Sequence, residues 1–178
     1  MTECIEYSKI SKGKGGSIYL RVKSNEPPIH CRLIGNAVKI AKFYCDKTWV
    51  NMTIEDINRL YREYPSIFRF APRPTYAVIV IDRADDKVKI LEFPTTVFRA
   101  IGNRHELTGI NPGGESQGEE WKIKSTGIGK NTTYTSVFMT TTDLTDEELQ
   151  QVKDFKEDKD LPDYYPISSY DKAVKMFC

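Results

Sequence analysis

From Trp121 to Thr140 the chain reads Trp-Lys-Ile-Lys-Ser-Thr-Gly-Ile-Gly-Lys-Asn-Thr-Thr-Tyr-Thr-Ser-Val-Phe-Met-Thr, and here its most usable chemistry is concentrated. Lysines alternate with apolar residues, a Gly-x-Gly-Lys turns the chain, and a Thr/Tyr-rich run returns. That pattern reads as a cationic β-hairpin carrying rings. Amines can neutralise phosphates and flat rings can stack on bases, as a single nucleic-acid strand requires. If Ile123 faces the core, Trp121 shares its face and is lost as a stacker, while Lys122 and Lys124 point outward.

Other chemistries find no comparable support. A phosphate-binding loop needs four residues between its glycines and Ser or Thr after its lysine. Gly127-Ile-Gly129-Lys130 has one residue between the glycines and is followed by Asn131, so a tight turn is expected there. Zinc needs three or four converging ligands, commonly in closely spaced pairs. His30 and Cys31 are adjacent and would point to opposite faces of a strand, with Cys4, Cys45, His105 and Cys178 far off. No Gly-x-Ser-x-Gly elbow is present, and the acids gather on a charged segment instead of standing singly within apolar strands. The expectation is a binding protein with no catalytic residues, no metal and no cofactor.

The elements that position these groups belong to a folded domain. The chain has 178 residues, 39% hydrophobic and 29% charged, which suits a soluble globular protein with a real core. No apolar run approaches the roughly 20 residues of a membrane span, and Met1 to Lys9 has no signal-peptide core. A cytoplasmic protein with reduced cysteines and no membrane contact is expected. Net charge is +1, but unevenly spread: residues 143–163 hold nine acids against three lysines, leaving +6 over residues 1–142. A basic body followed by an acidic segment suits an anionic ligand and a segment that competes with it, although by itself a solvated acidic helix is the simpler account of the acids.

Along the chain, residues 8–17 are basic and glycine-rich, and residues 1–28 are expected to form an N-terminal arm or first loop. Ile29 to Tyr44 reads as one or two strands bent at Gly35-Asn36, with Lys39, Ala41 and Phe43 on one face. Thr53 can cap a helix that Pro65 stops, with Met52 stapled to Ile57. Tyr76–Asp82 and Lys87–Phe93 form a hairpin around residues 83–86, and Pro94 to Ile101 reads as a short helix ended by Gly102. A long loop is expected over 102–119. Thr145-Asp-Glu-Glu148 is a capping box for a helix to about residue 157, and Ser168 to Phe177 suits a last short helix. The order is mostly β with inserted helices, which suggests a small barrel over 29–142 followed by an acidic helical segment over 143–178.

Candidate cations for a nucleic-acid groove are Lys39, Lys42, Arg69, Arg73, Arg83, Lys122, Lys124 and Lys130, and candidate rings are Phe43, Tyr44, Tyr76 and Tyr134. Each tyrosine suits a half-buried core position as well as a stacking one.

Three segments extend this reading: Arg73-Pro-Thr-Tyr-Ala-Val-Ile-Val-Ile-Asp-Arg83, Lys87-Val-Lys-Ile-Leu-Glu92 with the Phe-Pro-Thr-Thr-Val-Phe-Arg-Ala-Ile that follows, and Gly127-Ile-Gly129-Lys-Asn-Thr132-Thr-Tyr134. In pattern and order they resemble bacteriophage single-stranded DNA-binding proteins of the T-even helix-destabilising type, over roughly residues 29–140. The resemblance implies a five-stranded OB-fold that coats and protects single-stranded DNA in phage replication, recombination and repair within the infected cell. It also implies self-association through the basic N-terminal arm and contacts with replication or recombination proteins through residues 143–178. The chain departs from the family in lacking Cys-x-x-Cys and in ending Lys175-Met-Phe-Cys178 instead of in an acidic tail. An alternative from another class is an OB-type interaction subunit of a phage nucleoprotein or virion assembly.

Overall fold

The computed structural model describes residues 17–45 and 47–177. Of the N-terminal arm or first loop expected over residues 1–28, residues 1–16 therefore lie outside the described residues, as does Cys178. Among the described residues the chain is mostly β with four α-helices, and it divides into two compact units. The larger comprises residues 18–38 and 76–161; the smaller comprises 39–75 and 162–177. The units thus interleave along the chain, and the terminal helix belongs with residues 39–75.

In the larger unit, β1 (Tyr19–Arg21), β5 (Lys87–Pro94), β4 (Pro74–Asp82), the first part of β2 (Ile29–Cys45), β6 (Gly118–Thr126) and β7 (Thr133–Thr142) lie in that spatial order. β4 and β5 are the hairpin expected from residues 76–93. β1 runs parallel to β5, with Tyr19 opposite Ile90, and β6 is antiparallel to both β2 and β7. The hydrophobic core forms where alternating side chains of these strands meet α2 (Thr95–Thr108). Cys31, Leu33, Val78, Val80, Leu91, Phe93, Val97, Ile101, Trp121 and Ile123 are all buried there.

Two expectations are corrected here. The sheet is open and does not close into a five-stranded barrel. Closure would need β1 to pair with β7, but β1 has three residues and is spent on β5, so each forms an edge. The short helix after Pro94 does not end at Gly102 either. It runs on to Thr108 and ends at Gly109, whose φ of +69° is the left-handed cap that glycine adopts without penalty. Gly102 is tolerated because Val97 and Ile101 bury one face of the helix, which outweighs the roughly 1 kcal/mol cost of an interior glycine.

The Gly35 bend does occur. Gly35 has φ +63°, and its N–H donates to the Gly113 carbonyl at 2.8 Å. A Cβ on Gly113 would lie 2.0 Å from the Gly35 carbonyl oxygen, so this close approach requires glycine. α3 (Asp146–Asp158) has the expected capping box, with Thr145 Oγ1 accepting from the Glu148 N–H and the Glu148 carboxylate accepting from the Thr145 N–H at 2.9 Å.

The smaller unit is built on a second hairpin. The last part of β2 pairs antiparallel with β3 (Thr48–Met52), matching Ala41 with Met52, Phe43 with Val50 and Tyr44 with Trp49. α1 (Ile54–Glu63) follows, capped by Thr53 Oγ1, which accepts from the Asp56 N–H at 3.1 Å. α4 (Tyr170–Phe177) packs on it. The Tyr170 hydroxyl donates to Glu63, and the Arg59 guanidinium lies 4.0 Å over the Tyr170 ring. Ala41, Phe43, Val50, Met52, Ile57, Leu60 and Ala173 form this unit's core.

Candidate nucleic-acid interface

Strand alternation divides the β2–β3 hairpin. Phe43 and Val50 turn inward and are buried, whereas the opposite pair, Tyr44 and Trp49, is 45% and 41% exposed. Their ring centroids stand 5.2 Å apart at an interplanar angle of 53°. Lys42 lies two residues before Tyr44 on the same face, and its Nζ is 5.3 Å from the Trp49 ring. Pro65 stops α1, and after a 3-10 turn over Pro65–Ile67 the chain passes through Phe68, Arg69, Phe70 and Pro72. Phe68 packs on Phe43 at 4.7 Å, which leaves Phe70 outward and 64% exposed, with Arg69 placed 5.2 Å over its ring.

Together these residues enclose a groove of about 440 Å³. Phe43 and Phe68 line it from the core side, Tyr44, Trp49 and Phe70 supply exposed rings, and Lys42 and Arg69 supply charge. A ring left in water forgoes the ~1.5–3 kcal/mol that burying a large apolar side chain contributes. Scattered single cases need no explanation, but three rings in one groove with two cations make this groove the candidate binding surface. Such a surface can sandwich planar groups and neutralise the anions that link them.

The site residues expected from sequence fall into separate places. Lys42, Phe43, Tyr44 and Arg69 converge on this groove, although Phe43 is 4% exposed and acts as its buried wall. Lys39 and Arg73 are exposed in the same unit but do not line the groove. Lys122, Lys124 and Lys130 are exposed in the larger unit, and Tyr134 is half-buried against its core. As the alternation argument required, Trp121 is buried, and its Nε1–H donates to Glu119 at 2.9 Å. Tyr76 is stacked on Phe98 at 3.9 Å and 6°, so one face of its ring is already covered.

Arg83 serves internal carboxylates. Its Nη2 lies 2.8 Å from Glu120 Oε1, and its Nη1 pairs with Glu148 of α3. Burial alone would push the Glu120 carboxyl up, but the Arg83 hydrogen bond and charge outweigh this and hold it below the ordinary range. Glu148 is held low by the same balance. Glu120 also accepts from His30 at 2.8 Å, so the strand β2 histidine is tied into this network. Burial pushes the Cys31 thiol up to about 12, with Asp82 and Glu120 raising it further, so it remains an inert filler of the core.

Trp49, Phe68, Phe70 and Pro72 are the groove residues that sequence reasoning missed. Trp49 carried a usable signal, because the short strand-like run Thr48–Met52 closely follows the strand that ends in Tyr44 and Cys45, and a hairpin of the two pairs Trp49 with Tyr44. Phe70 carried almost none, since it stands in an irregular segment whose side-chain directions follow no period. No protein-family model and no curated protein sequence matches this chain.

Proposed function

We propose that this protein binds single-stranded DNA without strict sequence choice and without catalysis, using the groove of the smaller unit. The observation that carries the reading is the meeting of three exposed rings, Tyr44, Trp49 and Phe70, with Lys42 and Arg69. Every base has a stackable face, so a ring-lined groove accepts mixed sequence, and stacking contributes ~1–3 kcal/mol per base. Splayed, unpaired bases are needed to reach the rings, so single strands are preferred over duplex. The exposed Lys39 and Arg73 extend the positive charge of this unit and would draw in the phosphate backbone. The resemblance to phage helix-destabilising proteins supports the same ligand and a role in coating DNA during replication, recombination and repair in the infected cell. The exposed acids of α3 are then the surface for replication or recombination proteins. Stacking in this groove requires no closed barrel.

A titration with a labelled mixed-sequence single strand at two ionic strengths tests the reading. Binding that weakens steeply with salt, with duplex bound more weakly, is the expected result. Absence of binding at low salt would refute it. The chain has two tryptophans, and Trp121 is buried. Quenching of emission by the strand should therefore come from Trp49 and vanish in Trp49→Phe.

A further inference from the structure

A second cavity lies wholly within the larger unit, between α2 and the sheet, and has a volume of about 170 Å³. Leu33, Val78, Phe93 and Ile101, all buried, form its base. Phe98, Gly102 and His105 line it from the same face of α2 as Ile101, at the spacing of successive helical turns. Phe98 is held as a fixed wall, because Tyr76 stacks on one face of its ring at 3.9 Å. Gly102 keeps the space open. A Cβ there would meet no atom within 4 Å, so packing does not demand glycine, although glycine disfavours a helix interior. A longer side chain at this position would enter the cavity. Its polar lining is sparse. His105 Nδ1 lies 2.6 Å from the Ile110 carbonyl oxygen, which can only accept, so Nδ1 carries the proton and Nε2 of the neutral ring is an acceptor. Among the described residues no lysine or arginine lines this cavity, whereas Lys42 and Arg69 line the groove of the smaller unit.

We infer that this cavity is a binding site for one neutral aromatic ring carrying a hydrogen-bond donor, as in a phenol. Size selects a single ring, since an apolar protein cavity of about 150 Å³ holds benzene. Phe93 and Phe98 favour an aromatic ring over an aliphatic group, because ring pairs gain from stacked and edge contacts beyond the area they bury. The phenol hydroxyl donates to His105 Nε2, which gives the ring one orientation. Charge sets a nucleotide aside, because its phosphate would find no cation in the lining. The site is independent of the groove and of any DNA.

Titration of the full chain with p-cresol, followed through amide NMR signals, tests the inference without any variant. Saturable shifts at Gly35, Gly102 and His105 are expected, with a Kd of about 1 mM or lower for a ligand of this size. Gly102→Leu, which fills the cavity from a helix-favouring residue, should abolish those shifts while circular dichroism stays native. His105→Leu should weaken p-cresol by about threefold or more and leave toluene, which has no donor, unchanged. N-acetyl-tyrosine amide separates two sources of the same ring. Affinity equal to that of p-cresol marks the tyrosine side chain of a protein, and binding of p-cresol alone marks a free small molecule; either supports the site. No saturable shift up to about 10 mM p-cresol, shifts confined to the smaller unit, or binding indifferent to Gly102→Leu would each overturn it.

Discussion

Rings and guanidinium groups occur in both units, but they are used in opposite ways. In the larger unit Arg32 is wholly buried and donates to the carbonyls of Leu33, Gly114 and Thr142, so it ties the segment before β6 to the end of β7. Arg104 pairs with buried Glu119 at 2.8 Å and covers the Phe138 ring at 3.3 Å, while Arg83 joins Glu120 to Glu148. In the smaller unit Arg69 has an exposed ring beside it, and Lys42 lies over Trp49. A cation opposite a buried carboxylate is a structural part, because removing it strands a charge. Arg69, exposed beside its ring, faces solvent and can turn to a phosphate at little cost. Residue type alone does not separate these cases; the neighbouring carboxylates do.

Breaking the Arg83 network should have the largest effect, and on stability alone. Arg83→Ala leaves two carboxylates largely buried, which we expect to cost about 3 kcal/mol in urea unfolding. Affinity for single strands, measured on the folded fraction, should be unchanged; a parallel loss of binding would erase the distinction between the units. Trp49→Ala should do the reverse, lowering affinity by ~1–3 kcal/mol in anisotropy titrations. Its midpoint in urea should stay close to that of the parent chain.

The electrostatic predictions are smaller and sharper. Replacing Lys42 and Arg69 together by Ala should reduce the slope of log affinity against log salt by about 1.4, since each phosphate contact on a single strand contributes about 0.7. Replacing Lys122 and Lys124 should change that slope less. An equal or greater change would place phosphate contacts on the larger unit. Acidification tests the network once more. The folded pKa values of Glu120 and Glu148 lie below the ordinary 4.5. The stability they contribute is therefore complete above that value and is lost as pH falls through the lower folded values. Thermal midpoints should drop below about pH 4.5, and drop less in Arg83→Ala, where burial without a partner raises both carboxyls instead.

Much of the local structure was legible in the sequence because its causes are short-range. The Thr53 and Thr145 caps, the hairpin at 76–93, the bend at Gly35 and the inward turn of Trp121 each follow from a few neighbouring residues. The helix through Gly102 was not legible, because distant core contacts at Val97 and Ile101 override a local breaker. Nor was the open sheet, which depends on which strand β1 chooses. Four of the proposed site residues met in one groove, while Arg83 was claimed by carboxylates 37 and 65 residues away.

The sequence by itself therefore determined the kinds of group available, their alternation along each strand, and the ends of α1 and α3. Only the tertiary structure decided which rings remain in water and which cations are already paired. Burial and ion pairing depend on residues far apart in the chain, and no local pattern records their distance.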